Sequence, residues 1–202
     1  AMKPSHAKML QNADLIFWVG EDLENFLEKP LKSIAKKAEK IELMETKGIK
    51  KLKFRERNIF EEHGHDEHKE HGHKEDKHDD HHEHAHGEHD PHIWLDPMNA
   101  KVILSEMAEH LIEKDQENAS KYKANLKKAH KDLDKLTKKV KSELNKDFKS
   151  IVFHDAYQYF EKRFDVNVLG AFTVNTDVVP GAEQLSEIRE VIEHEKVSCV
   201  FS

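Results

Sequence analysis

The chain has 202 residues, of which 37% are hydrophobic and 36% charged, with a formal net charge of −7. That length suits one large domain or two small lobes; no apolar run reaches the roughly 18 residues of a membrane span, and no basic face suggests nucleic acid or anionic lipid as a partner. Cys199 is the only cysteine, so an intrachain disulfide is excluded. It reads either as a small apolar residue of a strand or as half of a disulfide whose partner lies outside this chain.

In chain order, Pro4 and Ser5 open a helix over 4–11, and residues 14–19 form a short apolar run closed by Gly20, the pattern of a buried strand. Leu23, Phe26 and Leu27 share one helical stripe, Pro30 restarts the helix, and 41–44 reads as a second strand. A tract over 61–90 then carries twelve Asp/Glu, three Lys and eleven His, with almost nothing apolar. Its own charge of −9 leaves the rest of the chain near +2, so the acidity belongs to the tract and the remainder is an ordinary core-forming body. Low hydrophobicity predicts that the tract is disordered without metal. Residues 92–95 read as a brief strand, and Asp96-Pro97 starts a helix that buries Val102, Ile103, Met107 and Leu111.

The longest predicted element is a helix over 116–148. Tyr122, Leu126, Ala129, Leu133, Leu136, Val140, Leu144 and Phe148 step by three or four along it, and at about 1.5 Å per residue it would be close to 50 Å long. A coiled coil is the alternative, but strands and helices resume directly after it. These are a strand over 150–153, a helix over 156–163, a strand over 166–172, a turn at Pro180-Gly181, an amphipathic helix through Ile188 and Ile192, and a strand over 197–201. Strand–helix alternation predicts an α/β fold with mainly parallel sheets flanked by helices. The expected organisation is two partial lobes, 1–115 (including the tract 61–90) and 149–202, joined by the long helix 116–148.

Two kinds of metal chemistry are written in the residues. His63, His65, His68, His71, His73, His78, His81, His82, His84, His86 and His89 supply many neutral imidazoles among carboxylates, a donor set for borderline transition metals. Affinity there should be modest, because each binding mode must order loose chain. His92 and His154 instead sit at predicted strand edges, where open α/β sheets place their ligands, and a rigid imidazole pair could share one ion. A structural role for each is the alternative. Asp155 beside His154 raises the thought of a metal-dependent hydrolase, but without further spaced ligands that signal is weak. His6, His110, His130 and His194 lie on predicted helices and read as surface residues.

Residues 3–31, the His-rich tract, His92-Ile93-Trp94-Leu95-Asp96-Pro97, residues 152–164, residues 180–192 and residues 198–202 resemble, in order, the ZnuA-type periplasmic zinc-binding proteins of ABC transporters. The resemblance implies two α/β lobes joined by a rigid helix, zinc held between them by His92 and His154, no catalysis, and delivery to a membrane permease. It also implies a periplasmic location, although no signal peptide is present in this chain. An imidazole at His154 resembles the zinc branch more than the manganese one, in line with nitrogen donors favouring zinc. A manganese or iron binder, or a His-rich storage or chaperone protein, are the alternatives. The family has a further ligand His upstream of the residues matching Lys3-Pro4-Ser5 and continues past the last strand. The resemblance thus implies a chain cut at both ends, a lost partner for Cys199, and exposed strand edges that favour self-association.

Overall fold

The computed structural model describes residues 2–60, 88–174 and 180–201. Two separate parallel sheets organise these residues. In the first, β1 (Leu15–Trp18) pairs in parallel with β2 (Glu39–Glu42), Phe17 opposite Ile41. The crossover between them is α2 (Glu21–Ser33), which is kinked at Glu24 and carries Pro30 inside it. β1 is apolar at every position because both of its faces are covered. Ile16 and Trp18 pack with Leu10 of α1 (Pro4–Asn12) and with Leu27 and Leu31 of α2. Leu15 and Phe17 face Ile93, Ile103 and Met107 on the other side.

The second sheet has the order β4-β3-β5, all parallel. β3 (Lys149–His154) is central, flanked by β4 (Asn167–Thr173) and β5 (Cys199–Phe201). The crossovers are α5 (Gln158–Phe164) and α6 (Ala182–His194), the right length for parallel connections. Ile151, fully buried, packs with Leu169 and with Ile188 of α6, while Val152 faces Val168, Ala171 and Phe60. Alternate residues of one strand thus serve the two faces of the sheet.

The expected α/β architecture with two parallel sheets is present, with three local differences. The run 92–95 is no strand: Ile93–Leu95 is a turn of 3-10 helix in which Leu95 N–H donates to the His92 carbonyl. The reason lies just upstream, where Asp90 accepts the His92 N–H at 2.9 Å and bends the chain. Ile93 then drops into the core with no exposed surface. The long helix is also shorter than 116–148. A 3-10 turn, Gln116–Asn118, precedes α4 (Ala119–Glu143), so its length is about 37 Å. Past Glu143, Leu144 is extended, and the Asn145 side chain accepts the Asp147 N–H at 3.0 Å, a local turn that competes with helix. Finally, Glu88, His89 and Asp90 depart from the expectation of disorder: Lys53 and His89 form an antiparallel bridge, and Asp90 is buried.

α4 lies along α3 (Pro97–Lys114), whose N-cap is Asp96, accepting the Met98 N–H at 2.8 Å. Two histidines expected on the surface are partly buried instead. His130 Nε2 lies 3.0 Å from the Lys101 carbonyl in the α3–α4 seam. His110 sits between Glu39, 2.9 Å away but poorly aligned, and Glu106 at 3.2 Å.

Between the two sheets runs the segment 50–60, packed into the core of the first and hydrogen-bonded to the second. Leu52 belongs to the first core and Phe60 to the second. Along the outer edge of β4, Ala171 N–H donates to the Asn58 carbonyl at 2.8 Å and Phe60 N–H to the Leu169 carbonyl at 2.8 Å. Asn58 Nδ2 adds bonds to the carbonyls of Ala171 and Phe172. That edge is therefore occupied by the segment's own backbone.

Candidate metal centre

His154 is the last residue of β3, at the carboxyl end of a central parallel strand. It shares a sheet face with Val152, so the alternation that sends Ile151 toward α6 sends this imidazole the other way. His92 comes from the first unit and precedes the 3-10 turn. Packing of Ile93 into one core and of Tyr159 against that same core brings the two histidines together. Their ring centroids are 5.2 Å apart with planes at 66°, and Trp94 lies beside the His92 ring at 5.5 Å.

His92 is 8% exposed, and its Nδ1 lies 2.7 Å from Asp90 Oδ1. A carboxylate that accepts this bond makes Nδ1 the donor and turns the Nε2 lone pair outward. His154 is half-buried. Its Nδ1 is sealed from solvent with no well-aligned hydrogen-bond partner among the described residues, although the Thr173 backbone across the ladder gives partial compensation. Burial, and then the neighbouring His92, hold the His154 pKa below the ordinary imidazole value. Both causes favour the neutral ring, the form that binds metal.

Around the pair lies a buried polar network absent from the sequence reading. Tyr159 O–H donates to the Asp90 carbonyl at 2.6 Å and accepts the Leu52 N–H at 3.0 Å. Burial pushes this phenol up to about 12, so it remains a donor at any physiological pH. Gln158 Nε2 donates to the Lys53 carbonyl at 3.0 Å. Arg55 bridges Asp155 at 2.9 Å and Glu161 at 2.5 Å and lies 3.8 Å above the Phe60 ring. Arg163 holds Asp96 through two bonds of 2.6 and 2.5 Å. Asp155 is accordingly an ion-pair partner of Arg55. Sequence reasoning could have singled out Asp90, since Asp-Pro-His is a turn with an acceptor two residues before the imidazole; nothing local marks Arg55.

Among the tract residues, His63, His65, His68, His71, His73, His78, His81, His82, His84 and His86 lie outside the described residues. His89 is held in its bridge with Lys53, in a cleft with Glu21, Glu42 and Glu45 that neither His92 nor His154 lines. No group of three or more His, Cys, Asp or Glu among the described residues is placed to hold a metal ion. Among the described residues, the candidate centre is this pair of imidazoles.

The family model described as zinc-uptake complex component A, periplasmic (ZnuA), matches residues 1–202. The chain belongs to that family. It is 43% identical over 217 residues to the high-affinity zinc uptake system protein ZnuA of Brucella abortus, covering 100% of this chain and 65% of the relative. With the Yersinia pestis protein of the same name it shares 36% identity over 212 residues, covering 100% and 63%. The chain thus spans about 65% of the length of the curated relatives it matches. Among solved structures, a ZnuA crystal structure superposes with a TM-score of 0.73 at 21% identity, covering 97% of this chain and 64% of that one. A Zn(II)-bound AdcAII variant of Streptococcus pneumoniae gives 0.70 at 24% identity, covering 99% and 66%. A Mn-bound periplasmic metal-binding protein from Candidatus Liberibacter asiaticus gives 0.71 at 18% identity, covering 100% and 65%. These likenesses establish the fold of a metal-type solute-binding protein, including members whose structures carry different metals.

Proposed function

We propose that this chain is the zinc-capturing part of a periplasmic binding protein, which collects zinc for a high-affinity ABC uptake transporter and hands it to the membrane permease. The observation that carries the reading is the convergence of His92 and His154 from two different α/β units. Two imidazoles that bind one tetrahedral zinc at about 2.0–2.1 Å, with ring centres about 1.1 Å further out, have centroids about 5.2 Å apart. The observed separation is 5.2 Å. We take 1–115 and 149–202 as the two lobe portions and 116–148 as their connection, with the metal at the seam.

Nitrogen donors favour zinc over manganese, and the relatives at 36–43% identity are named for zinc uptake. Two protein ligands are fewer than the three or four of a closed zinc site, so water or a tract histidine completes the shell in this chain. Capture and release of the ion, with no bond made or broken in a substrate, is the whole of the chemistry. The eleven tract histidines form a separate, weaker reservoir.

Chelator competition on the full chain tests both parts. His92→Ala and His154→Ala are each expected to weaken the tightest zinc site at least about tenfold, since each removes half of the protein ligands. Deleting 61–87 should remove the weak sites, whose capacity falls as pH drops through about 6.5, and leave the tight one. Loss of nearly all binding on that deletion would favour storage in the tract. Tight binding that survives both histidine substitutions would overturn the assignment.

A further inference from the structure

We propose that Asp90 is a positioning residue of the metal centre: it locks the His92 ring as the tautomer protonated on Nδ1 and so keeps the Nε2 lone pair available to zinc. This rests on the reading of His92 as a ligand. Asp90 Oδ1 accepts two hydrogen bonds from one residue, the His92 N–H at 2.9 Å and the ring Nδ1–H at 2.7 Å. The first sets the backbone turn and the second sets the ring. Together they leave the imidazole little freedom to rotate, and they select one of its two neutral tautomers.

Asp90 is itself held from three sides. Its N–H donates to the Leu52 carbonyl at 2.8 Å, its carbonyl accepts Tyr159 O–H at 2.6 Å, and its Oδ2 lies 3.4 Å from Gln158 Nε2. It is 1% exposed. Gln158 and Tyr159 open α5, the helix that follows His154 in the chain. One aspartate thus orients the first histidine and ties it to the element next to the second. Outer partners of this kind change metal affinity by about 10- to 100-fold when they are removed.

The test compares Asp90→Ala, Asp90→Asn and His92→Ala in the full chain. Two readouts are used: zinc affinity by chelator competition, and the tautomer of His92 in metal-free protein by long-range nitrogen–proton NMR, its signals assigned by their loss in His92→Ala. In the unsubstituted protein His92 is expected as the Nδ1–H form. Asp90→Ala should convert it to a mixture and weaken zinc about 10- to 100-fold. Asp90→Asn, which retains an acceptor oxygen, should restore the Nδ1–H form with a smaller loss, a rescue that a purely structural role would not tie to the tautomer. If Asp90→Ala leaves the tautomer unchanged, whether or not affinity falls, the proposal is overturned while His92 remains a ligand. If His92→Ala leaves affinity unchanged, the zinc reading fails instead, and the metal-free spectra still decide whether Asp90 sets the ring.

Discussion

Arg55 stands between two carboxylates that water barely reaches. The side chains of Asp155 and Glu161 are 4% and 1% exposed. Burial holds the Glu161 carboxyl above its ordinary range, with the Arg55 bonds pulling the other way. The native state therefore takes up this proton at a higher pH than the unfolded chain, whose value is near 4.5. Its contribution to stability worsens as pH rises through the raised value and recovers as pH falls toward 4.5. Removing Arg55 leaves both carboxylates without compensation, so Arg55→Met is expected to cost about 3–5 kcal/mol at pH 7. The cost should be smaller at about pH 5, where protonation relieves it. Urea unfolding at the two pH values checks this, and an equal loss at both would show that protonation of these carboxyls does not follow Arg55.

At the scale of elements, the seam between the sheets is made by backbone as much as by side chains. Gly170 of β4 is where the segment 50–60 comes closest: a Cβ there would meet the Asn58 carbonyl oxygen at 2.5 Å. The neighbour is main chain, bonded on both sides of that point, so it cannot swing aside as a side-chain end would. Gly170→Ala is expected to destabilise by about 1–3 kcal/mol, the usual cost of forced overpacking. Thermal unfolding measures it, and an unchanged midpoint would mean that the segment is not seated on β4. The other edge of this sheet differs. β5 has no strand on its outer side among the described residues, and Val200 and Phe201 are about half exposed.

For the whole molecule, that open edge has a consequence in solution. A short apolar edge strand offers unpaired N–H and C=O groups to another strand, and Val200 and Phe201 on it are 45% and 48% exposed. We expect this chain to self-associate through the β5 edge, with the free Cys199 thiol able to form an intermolecular disulfide under oxidising conditions. Light scattering with and without reductant separates the two: strand pairing persists in reductant, the disulfide does not. A monomer under both conditions would show that the exposed edge is not sticky.

Short-range pattern made much of this protein legible. The double-sided burial of β1, the Asp96-Pro97 helix start, the alternation that predicts parallel sheets and the imidazole-rich tract are each written within a few neighbouring residues, and local sterics and hydrophobic periodicity act over that range. His92 and His154 stood out for the same reason, as polar residues at the ends of apolar runs. What brings these two rings to 5.2 Å is not local. It follows from packing Ile93 and Tyr159 into one core, and no window of sequence contains both. Arg55 and Asp155 are 100 residues apart, and a buried charge announces itself only once its burial is known. The 3-10 turn at Ile93–Leu95 is the intermediate case. Its apolar residues suit a strand equally well, and the Asp90 hydrogen bonds, available only after Asp90 itself has been buried by the fold, decide which conformation those residues take.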